Sequence, residues 1–148
     1  MNQTDTKKII DFHTHTFPDK IVAKTIASLE EKAGVKAKAD GTMKGLLDSM
    51  KCFGVDLSVI MPVVTRPEQF QTINNVAAKI NEDYGQRVIS FGGIHPASQN
   101  YKKELGYIKA LGLKGIKLHP DYQGVSIDDI GYKHIIDYAS ELDLIIMV

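Results

Sequence analysis

Two histidines, one residue apart, follow the first apolar run of the sequence. The stretch KKIIDFHTHTFPDK, residues 7–20, places His13 and His15 at the end of a predicted strand. Because a strand alternates its faces with a period of two, both imidazoles and Asp11 are expected on one side. Such a set can form part of the first coordination shell of a divalent metal such as zinc. A chance His-x-His pair in an exposed loop is the alternative, and the rest of the sequence must decide.

Later apolar runs also end in polar residues. Arg66 follows LSVIMPVV, His95 ends VISFGGIH, and Lys117 and His119 end LKGIKLHP. Four of the five histidines therefore lie at predicted strand ends, whereas a purely structural use would scatter them. In LKGIKLHP, alternation directs Lys117 and His119 to the same side of the strand, opposite the side that faces the helices. A lysine and a histidine in a protein interior are costly unless they are paired or used.

Each of these residues has a functional and a structural interpretation. Lys117 could bridge two metals, bind a substrate carboxylate or form an ion pair. His95 and His119 could contact substrate or cap a strand by hydrogen bonding. Arg66 could clamp an anion with its planar fork or lie in solvent. Asp11 could orient a histidine through the other ring nitrogen, or be a buried carboxylate satisfied by backbone or lysine.

Predicted strands alternate with helical patterns along the chain. Five apolar runs predict buried strands, and they begin near residues 8, 57, 88, 113 and 142. The first connection predicts two helices separated by VKAKADG. Residues 67–85 predict a helix that ends at Gly85, and residues 126–143 predict one with Ser126 as its N-cap. This last helix is predicted to have an apolar stripe made of Ile130, His134, Tyr138 and Leu142. His134 is therefore predicted to be a packing residue.

Alternation of strand and helix, with continuously apolar strands, is typical of a parallel α/β sheet covered by helices. A doubly wound nucleotide-binding sheet is disfavoured because the sequence has neither G-x-G-x-x-G nor a P-loop. In a (β/α)8 TIM barrel, reactive groups gather at the carboxyl ends of several strands, as they do here. We therefore expect residues 1–148 to supply the first four βα units and strand 5 of a single barrel domain.

Composition favours a small-molecule partner. The 148 residues are 43% hydrophobic and 24% charged, with 18 basic and 18 acidic side chains. This balance indicates a globular domain and lacks the basic footprint of a nucleic-acid binder. Neither a signal peptide nor an apolar run of the ~20 residues that span a membrane occurs. A lone Cys52, expected to be half-buried, fits a cytoplasmic protein; homo-oligomerisation stays open.

Three motifs together resemble a known family. IIDFHTHTFPDKI, GGIHP and KGIKLHP are similar to the amidohydrolase superfamily, and to its amidohydrolase 2 branch of metal-dependent TIM-barrel enzymes. The resemblance implies that His13 and His15 bind a divalent metal, most commonly Zn²⁺. It places further ligands after strands 5, 6 and 8, and makes the strand-8 aspartate the general base, so the catalytic residues are expected outside this chain. In some branches a carboxylated strand-4 lysine bridges two metals, and Lys117 lies in that strand.

The resemblance implies a hydrolase that uses a metal-activated water on a small amide, ester, lactone or related carbonyl substrate. A non-oxidative decarboxylase of the same superfamily is the alternative. A non-catalytic half-barrel is a third interpretation if the protein ends at Val148. Since strand 5 and the third ligand meet near that point, we expect the natural chain to continue.

Overall fold

The computed structural model of the protein describes residues 7–148. Its strands are β1 (Ile10–Thr14), β2 (Leu57–Ile60), β3 (Val88–Ser90), β4 (Gly92–Gly93), β5 (Gly115–Lys117) and β6 (Ile145–Met147). Its helices are α1 (Val22–Ala33), α2 (Met43–Phe53), α3 (Phe70–Tyr84), α4 (Tyr101–Ala110), α5 (Pro120–Gln123) and α6 (Ile130–Glu141), with a short 3-10 helix at Pro67–Gln69. Each of the five apolar runs contains a strand, and the third run contains two. The alternation expected of an α/β protein is confirmed.

The chain divides into two compact units, Met1–Ile60 and Met61–Val148, called unit 1 and unit 2 below. In unit 1, β1 and β2 pair in parallel, with Asp11 opposite Ser58 and Thr14 opposite Ile60. Two residues of β1 therefore lie against one residue of β2, which is the pattern of a β-bulge. The bulge interrupts the alternation of faces between Asp11 and the histidines.

The two helices predicted between the first and second strands are both present in unit 1. The N-cap of α2 is Thr42, whose hydroxyl oxygen accepts the backbone N–H of Gly45 at 2.9 Å. Both helices end at a glycine in the left-handed region, Gly34 for α1 and Gly54 for α2. On α2, Met50 is buried, but Cys52 is exposed, so the expectation that Cys52 is half-buried is wrong.

Unit 2 is built on the parallel sheet β4-β5-β6. The helices α3, α4 and α6 supply the apolar side chains that pack with this sheet. Buried core residues of unit 2 are Ala77, Ile94, Leu105, Ile108, Leu113, Ile116, Leu118, Tyr132, Ile135, Ala139 and Leu144. Ile116 and Leu118 thus belong to this core, as the alternation in LKGIKLHP predicts.

Close packing explains the glycine that begins β5. A Cβ atom at Gly115 would lie 2.5 Å from Cε2 of Phe91 and 2.6 Å from the carbonyl oxygen of Ile145. Neither atom is the free end of a flexible chain, so any larger residue would push β6 away. The position therefore requires glycine.

Two predictions for α6 are wrong. Its N-cap is Asp129 rather than Ser126, and the Asp129 carboxylate accepts the backbone N–H of Gly131 at 2.7 Å. Its buried face consists of Tyr132, Ile135 and Ala139. The predicted stripe is displaced from that face, and Ile130 is 62% exposed. His134 is exposed, but it does pack, because its ring stacks on Tyr101 with centroids 5.5 Å apart.

None of the helices within residues 7–148 is both long enough and apolar enough to cross a membrane.

Candidate functional site

The two histidines of the first motif are neighbours in unit 1. His13 lies in β1, His15 lies just after it, and their ring centroids are 5.0 Å apart. Two imidazoles on a tetrahedral Zn²⁺ place their ligand nitrogens about 3.3 Å apart, given Zn–N bonds of about 2.0–2.1 Å. Since a ring nitrogen stands about 1 Å from its centroid, a 5.0 Å spacing is compatible with one shared ion. Both side chains are exposed.

Asp11 contacts backbone rather than an imidazole nitrogen in the hydrogen bond that the structure gives it. Its carboxylate accepts the N–H of His13 at 3.3 Å. The side chain is exposed, so the interpretation as a buried carboxylate is wrong. The exposure of the strand accounts for the difference, since the burial pattern of β1 is exposed from Ile10 to His13.

Arg66 lies at the start of the 3-10 helix and is exposed. The side-chain oxygen of Gln69 accepts the backbone N–H groups of Thr65 and Arg66, at 3.0 and 3.2 Å. Hydrogen bonds from the backbone to Gln69 thus fix the loop. Arg66 itself is exposed. This arrangement agrees with the solvated interpretation.

His95 is half-buried in unit 2, two residues after β4. Its Nδ1 accepts the backbone N–H of Ala97 at 3.1 Å, so the neutral ring carries its proton on Nε2. Burial lowers the pKa of His95, and the carboxylate of Glu68 opposes this only in part. His95 therefore closes its turn with one nitrogen and leaves the other as a donor.

Lys117 is the last residue of β5 and is only 2% exposed. Within residues 7–148, no carboxylate forms an ion pair with its ammonium group and no acceptor hydrogen-bonds to it. Burial lowers the pKa of Lys117 from its ordinary value, and burial alone is the cause. Of the three interpretations of this lysine, the structural ion pair is thus absent from the described part of the chain.

His119 is half-buried and precedes α5. Its ring stacks on Tyr122, with centroids 4.2 Å apart and planes inclined by 21°. Its backbone N–H donates to the side-chain oxygen of Gln123 at 2.9 Å. Lys117 thus ends the buried strand β5, and His119 follows it two residues later.

Gln123 is a buried polar residue that the sequence interpretation missed. Its side-chain amide donates to the carbonyl oxygens of Val64 and Ile94, at 2.7 and 2.8 Å, and accepts from the hydroxyl of Tyr132 at 2.6 Å. The only local signal is its position four residues after His119, with proline between them at the first helical position. That signal predicts a short helix and does not reveal partners that are distant in sequence.

The contacts between candidate residues can be described within each unit. Unit 1 brings His13 and His15 together, and unit 2 brings the segments of His95 and His119 together through Gln123. A group of three or more His, Cys, Asp or Glu side chains able to hold a metal does not occur within residues 7–148. Within the described residues, His13 and His15 are thus a candidate pair of metal ligands.

Comparison with known families decides the membership of this chain. The sequence profile of the family described as "Amidohydrolase" matches residues 10–148. The chain belongs to the amidohydrolase family. Its α/β fold matches that of TIM-barrel members of this family.

Solved structures show the same fold. The amidohydrolase chain is similar to 5-carboxyvanillate decarboxylase from Novosphingobium aromaticivorans complexed with manganese and 4-hydroxy-3-methoxy-5-nitrobenzoic acid, at a TM-score of 0.71 and 16% identity. It is also similar to 2,6-dihydroxybenzoate decarboxylase from Rhizobium, at 0.63 and 15%. The aligned regions cover 98% and 95% of this chain but only 51% and 49% of those chains. The chain thus spans about half the length of these structures, and no curated protein matches it.

The donor chemistry of the amidohydrolase chain fits a divalent ion. Neutral imidazole is a ligand for zinc, manganese and related metals, and two imidazoles lie 5.0 Å apart here. Manganese is bound in some of the similar structures. The expectation of a divalent metal is therefore supported, and the metal named in those structures is manganese rather than zinc.

Proposed function

We propose that this chain is part of a metal-dependent enzyme that acts on a small carbonyl or carboxylate compound, within a single barrel domain. The observation that carries the proposal is the pair His13 and His15, whose ring centroids lie 5.0 Å apart at the end of β1 in a member of the amidohydrolase family. Their side chains would hold the ion, which is zinc or manganese. Bound there, a divalent ion supplies a Lewis acid that polarises a carbonyl group and lowers the pKa of water.

Hydrolysis of an amide, ester or lactone is the first candidate reaction. The chain's own residues contribute binding and orientation to it. His13 and His15 supply neutral imidazole nitrogens, and the backbone contact from Asp11 to His13 stiffens the strand end on which they lie. His95 keeps Nε2–H as a donor, because its Nδ1 is occupied by Ala97.

Non-oxidative decarboxylation is the second candidate, and Lys117 favours it. A lysine that is only 2% exposed and has no carboxylate partner in the described chain is suited to a substrate carboxylate, which would offset its desolvation. Similar structures include decarboxylases of substituted benzoates. Both candidates share the metal ligands, so one set of variants can separate metal binding from substrate binding.

Metal content tests the shared part of the proposal. The full protein is loaded with zinc or manganese, dialysed and measured by elemental analysis. His13→Ala and His15→Ala are each expected to lower metal per chain at least about tenfold, since a lost ligand weakens binding by more than 1.4 kcal/mol. His134→Ala is the matched control, because His134 stacks on Tyr101 and lies outside the proposed site. Unchanged stoichiometry in both first-strand variants would refute the assignment.

A carboxylate probe tests the role of Lys117. Benzoate binding is measured by calorimetry on the metal-loaded protein, and Lys117→Met is expected to weaken it about tenfold to a hundredfold, the value of one charge-assisted hydrogen bond. Lys114→Met is the control, because Lys114 is exposed and lies directly before β5. Equal affinity in the wild-type and Lys117→Met proteins would exclude this lysine as the anchor.

Product analysis then separates the two reactions. The manganese-loaded protein is incubated with 2,6-dihydroxybenzoate, and released CO₂ is measured; p-nitrophenyl acetate reports ester hydrolysis in parallel. Release of CO₂ that His13→Ala abolishes supports the decarboxylase, and ester cleavage that the same variant abolishes supports the hydrolase. Neither activity in a protein that binds metal would contradict both candidates.

A further inference from the structure

The side-chain amide of Gln123 is 5% exposed and makes four hydrogen bonds. Its nitrogen donates to the carbonyl oxygens of Val64 (2.7 Å) and Ile94 (2.8 Å). Its oxygen accepts the backbone N–H of His119 (2.9 Å) and the hydroxyl of Tyr132 (2.6 Å). All five groups belong to unit 2.

These four bonds exhaust the capacity of the amide. A glutamine side chain has two N–H donors and two acceptor lone pairs on its oxygen, and every one of them is used. Of the genetically encoded side chains of this length, no other offers two donors and two acceptors: glutamate lacks the donors, and methionine lacks both. Gln123 is therefore specified by its partners rather than by its volume.

The partners of Gln123 lie in three segments that are far apart in sequence. Val64 lies in the segment after β2, Ile94 follows β4 and precedes His95, and His119 follows β5 and Lys117. Carboxyl ends of parallel strands carry the active sites of barrel enzymes. One amide thus ties together the backbone of three segments of unit 2, those of Val64, Ile94 and His119.

We propose that Gln123 is a positioning residue that holds the segments of His95 and His119 in fixed register beside Lys117. The inference rests on the proposed function only in taking these strand ends as part of a substrate site. The hydrogen bonds themselves do not depend on that function.

Tyr132 fixes the orientation of the amide. Its ring is fully buried in the core of unit 2, and its hydroxyl points to the side-chain oxygen of Gln123. Burial, with a smaller contribution from the carboxylate of Asp129, raises the pKa of Tyr132 to about 12. The phenol therefore stays a hydrogen-bond donor at neutral pH. This keeps the amide oxygen of Gln123 facing Tyr132 and its nitrogen facing the carbonyl oxygens of Val64 and Ile94.

Gln123→Glu is the sharpest test, because glutamate has the same shape. Its ionised form would direct a carboxylate oxygen at the carbonyl oxygens of Val64 and Ile94, whereas its acid form can donate to one of them. The folded-state pKa of this glutamate is thus expected to lie above its unfolded value. The stabilising acid form is fully present below the unfolded pKa, so stability is lost as pH rises through the folded pKa. The melting temperature of Gln123→Glu relative to wild type should fall between pH 4 and pH 8.

Histidine NMR provides a readout that a change in stability alone would not move. In the folded Gln123→Glu protein at pH 8, the ring signals of His95 and His119 are expected to differ from those of wild type at the same pH. The difference between variant and wild type should become smaller on acidification. Benzoate affinity should fall about tenfold at pH 8 and recover in parallel. Tyr132→Phe is the comparison variant: it removes the contact that orients the amide but introduces no charge, so its effect on the histidine signals should not reverse on acidification.

A second variant covers the case in which Gln123→Glu does not fold at neutral pH. Gln123→Met removes all four bonds at every pH, so its histidine shifts and its loss of affinity should be independent of pH. Wild-type histidine signals in either folded variant at pH 8 would overturn the inference. If wild type itself fails to bind benzoate, the substrate proposal fails, while the histidine signals still decide the role of Gln123.

Discussion

The Lys117 residue is only 2% exposed at the end of β5, and its side chain makes no hydrogen bond or ion pair within residues 7–148. Burial disfavours its charged form, so the folded-state pKa lies below the unfolded value. Between the folded and unfolded pKa values the unfolded chain binds more protons, and stability therefore rises with pH across that window. Below that window both states are protonated, and the full cost of burying the charge remains.

Lys117→Met is consequently expected to be more stable than wild type at pH 7. Its melting temperature should rise by about 2–4 °C for each kcal/mol of relieved desolvation, and the gain should shrink toward alkaline pH as the wild-type lysine becomes neutral. Thermal unfolding from pH 7 to pH 11 measures this. Lys114→Met, at an exposed position, should show no such dependence. A Lys117→Met protein less stable than wild type at pH 7 would show that the ammonium group has a stabilising partner.

Single residues differ in how far the sequence predicts them. The pairing of His13 with His15 and the burial of Lys117 follow from spacing and alternation, which are local properties. Gln123 could not be found this way, because its partners Val64, Ile94 and Tyr132 come from other parts of the chain. The register shift between Asp11 and Thr14 could not be predicted either, because it leaves no periodic signal in five residues.

The N-cap of α6 offers a test at the scale of one element. Asp129 accepts the N–H of Gly131 and is the capping residue in the structure. Asp129→Ala should lower the free energy of unfolding by about 1 kcal/mol, the typical cost of a lost cap. Ser126→Ala is the matched control, because the sequence predicts that position as the cap while the structure places it three residues before Asp129. Chemical denaturation measures both, and a larger loss for Ser126→Ala would contradict the assignment of the cap.

Elements were predicted more reliably than the faces that they bury. Every strand of the structure lies in one of the predicted apolar runs, because β-branched and leucine residues cluster there. The stripe of α6 was misplaced, since Ile130, His134 and Tyr138 also recur with helical spacing. Tyr132, Ile135 and Ala139 are buried instead, because α6 packs with the unit 2 sheet through that side. The spacing of apolar residues predicts that a helix forms, but tertiary contacts determine which of its faces is buried.

At the scale of the whole molecule, buried apolar residues are distributed unevenly. A cluster of buried apolar residues runs from Ala77 to Leu144 and lies entirely in unit 2. In unit 1, α1 has no buried residue, and α2 has only Met50. Composition cannot predict this difference. The sequence of α1 contains apolar residues, but none of them is buried in the structure. Membership of the amidohydrolase family and the α/β class, by contrast, follow from motifs and the order of elements.

Hydrogen exchange should therefore be unequal along the chain. Local opening requires less free energy where little apolar surface is buried, so amides of α1 should exchange before those of α4 and α6. A difference of about 2.8 kcal/mol in opening free energy corresponds to about a hundredfold in protection, and we expect at least that between peptides of residues 22–33 and residues 132–139. Mass spectrometry of the deuterated protein measures both, with the protein in denaturant as the reference for intrinsic rates. The buried Met50 should give α2 an intermediate value. Protection of α1 equal to that of α6 would mean that α1 is covered in solution by apolar contacts beyond those described for it.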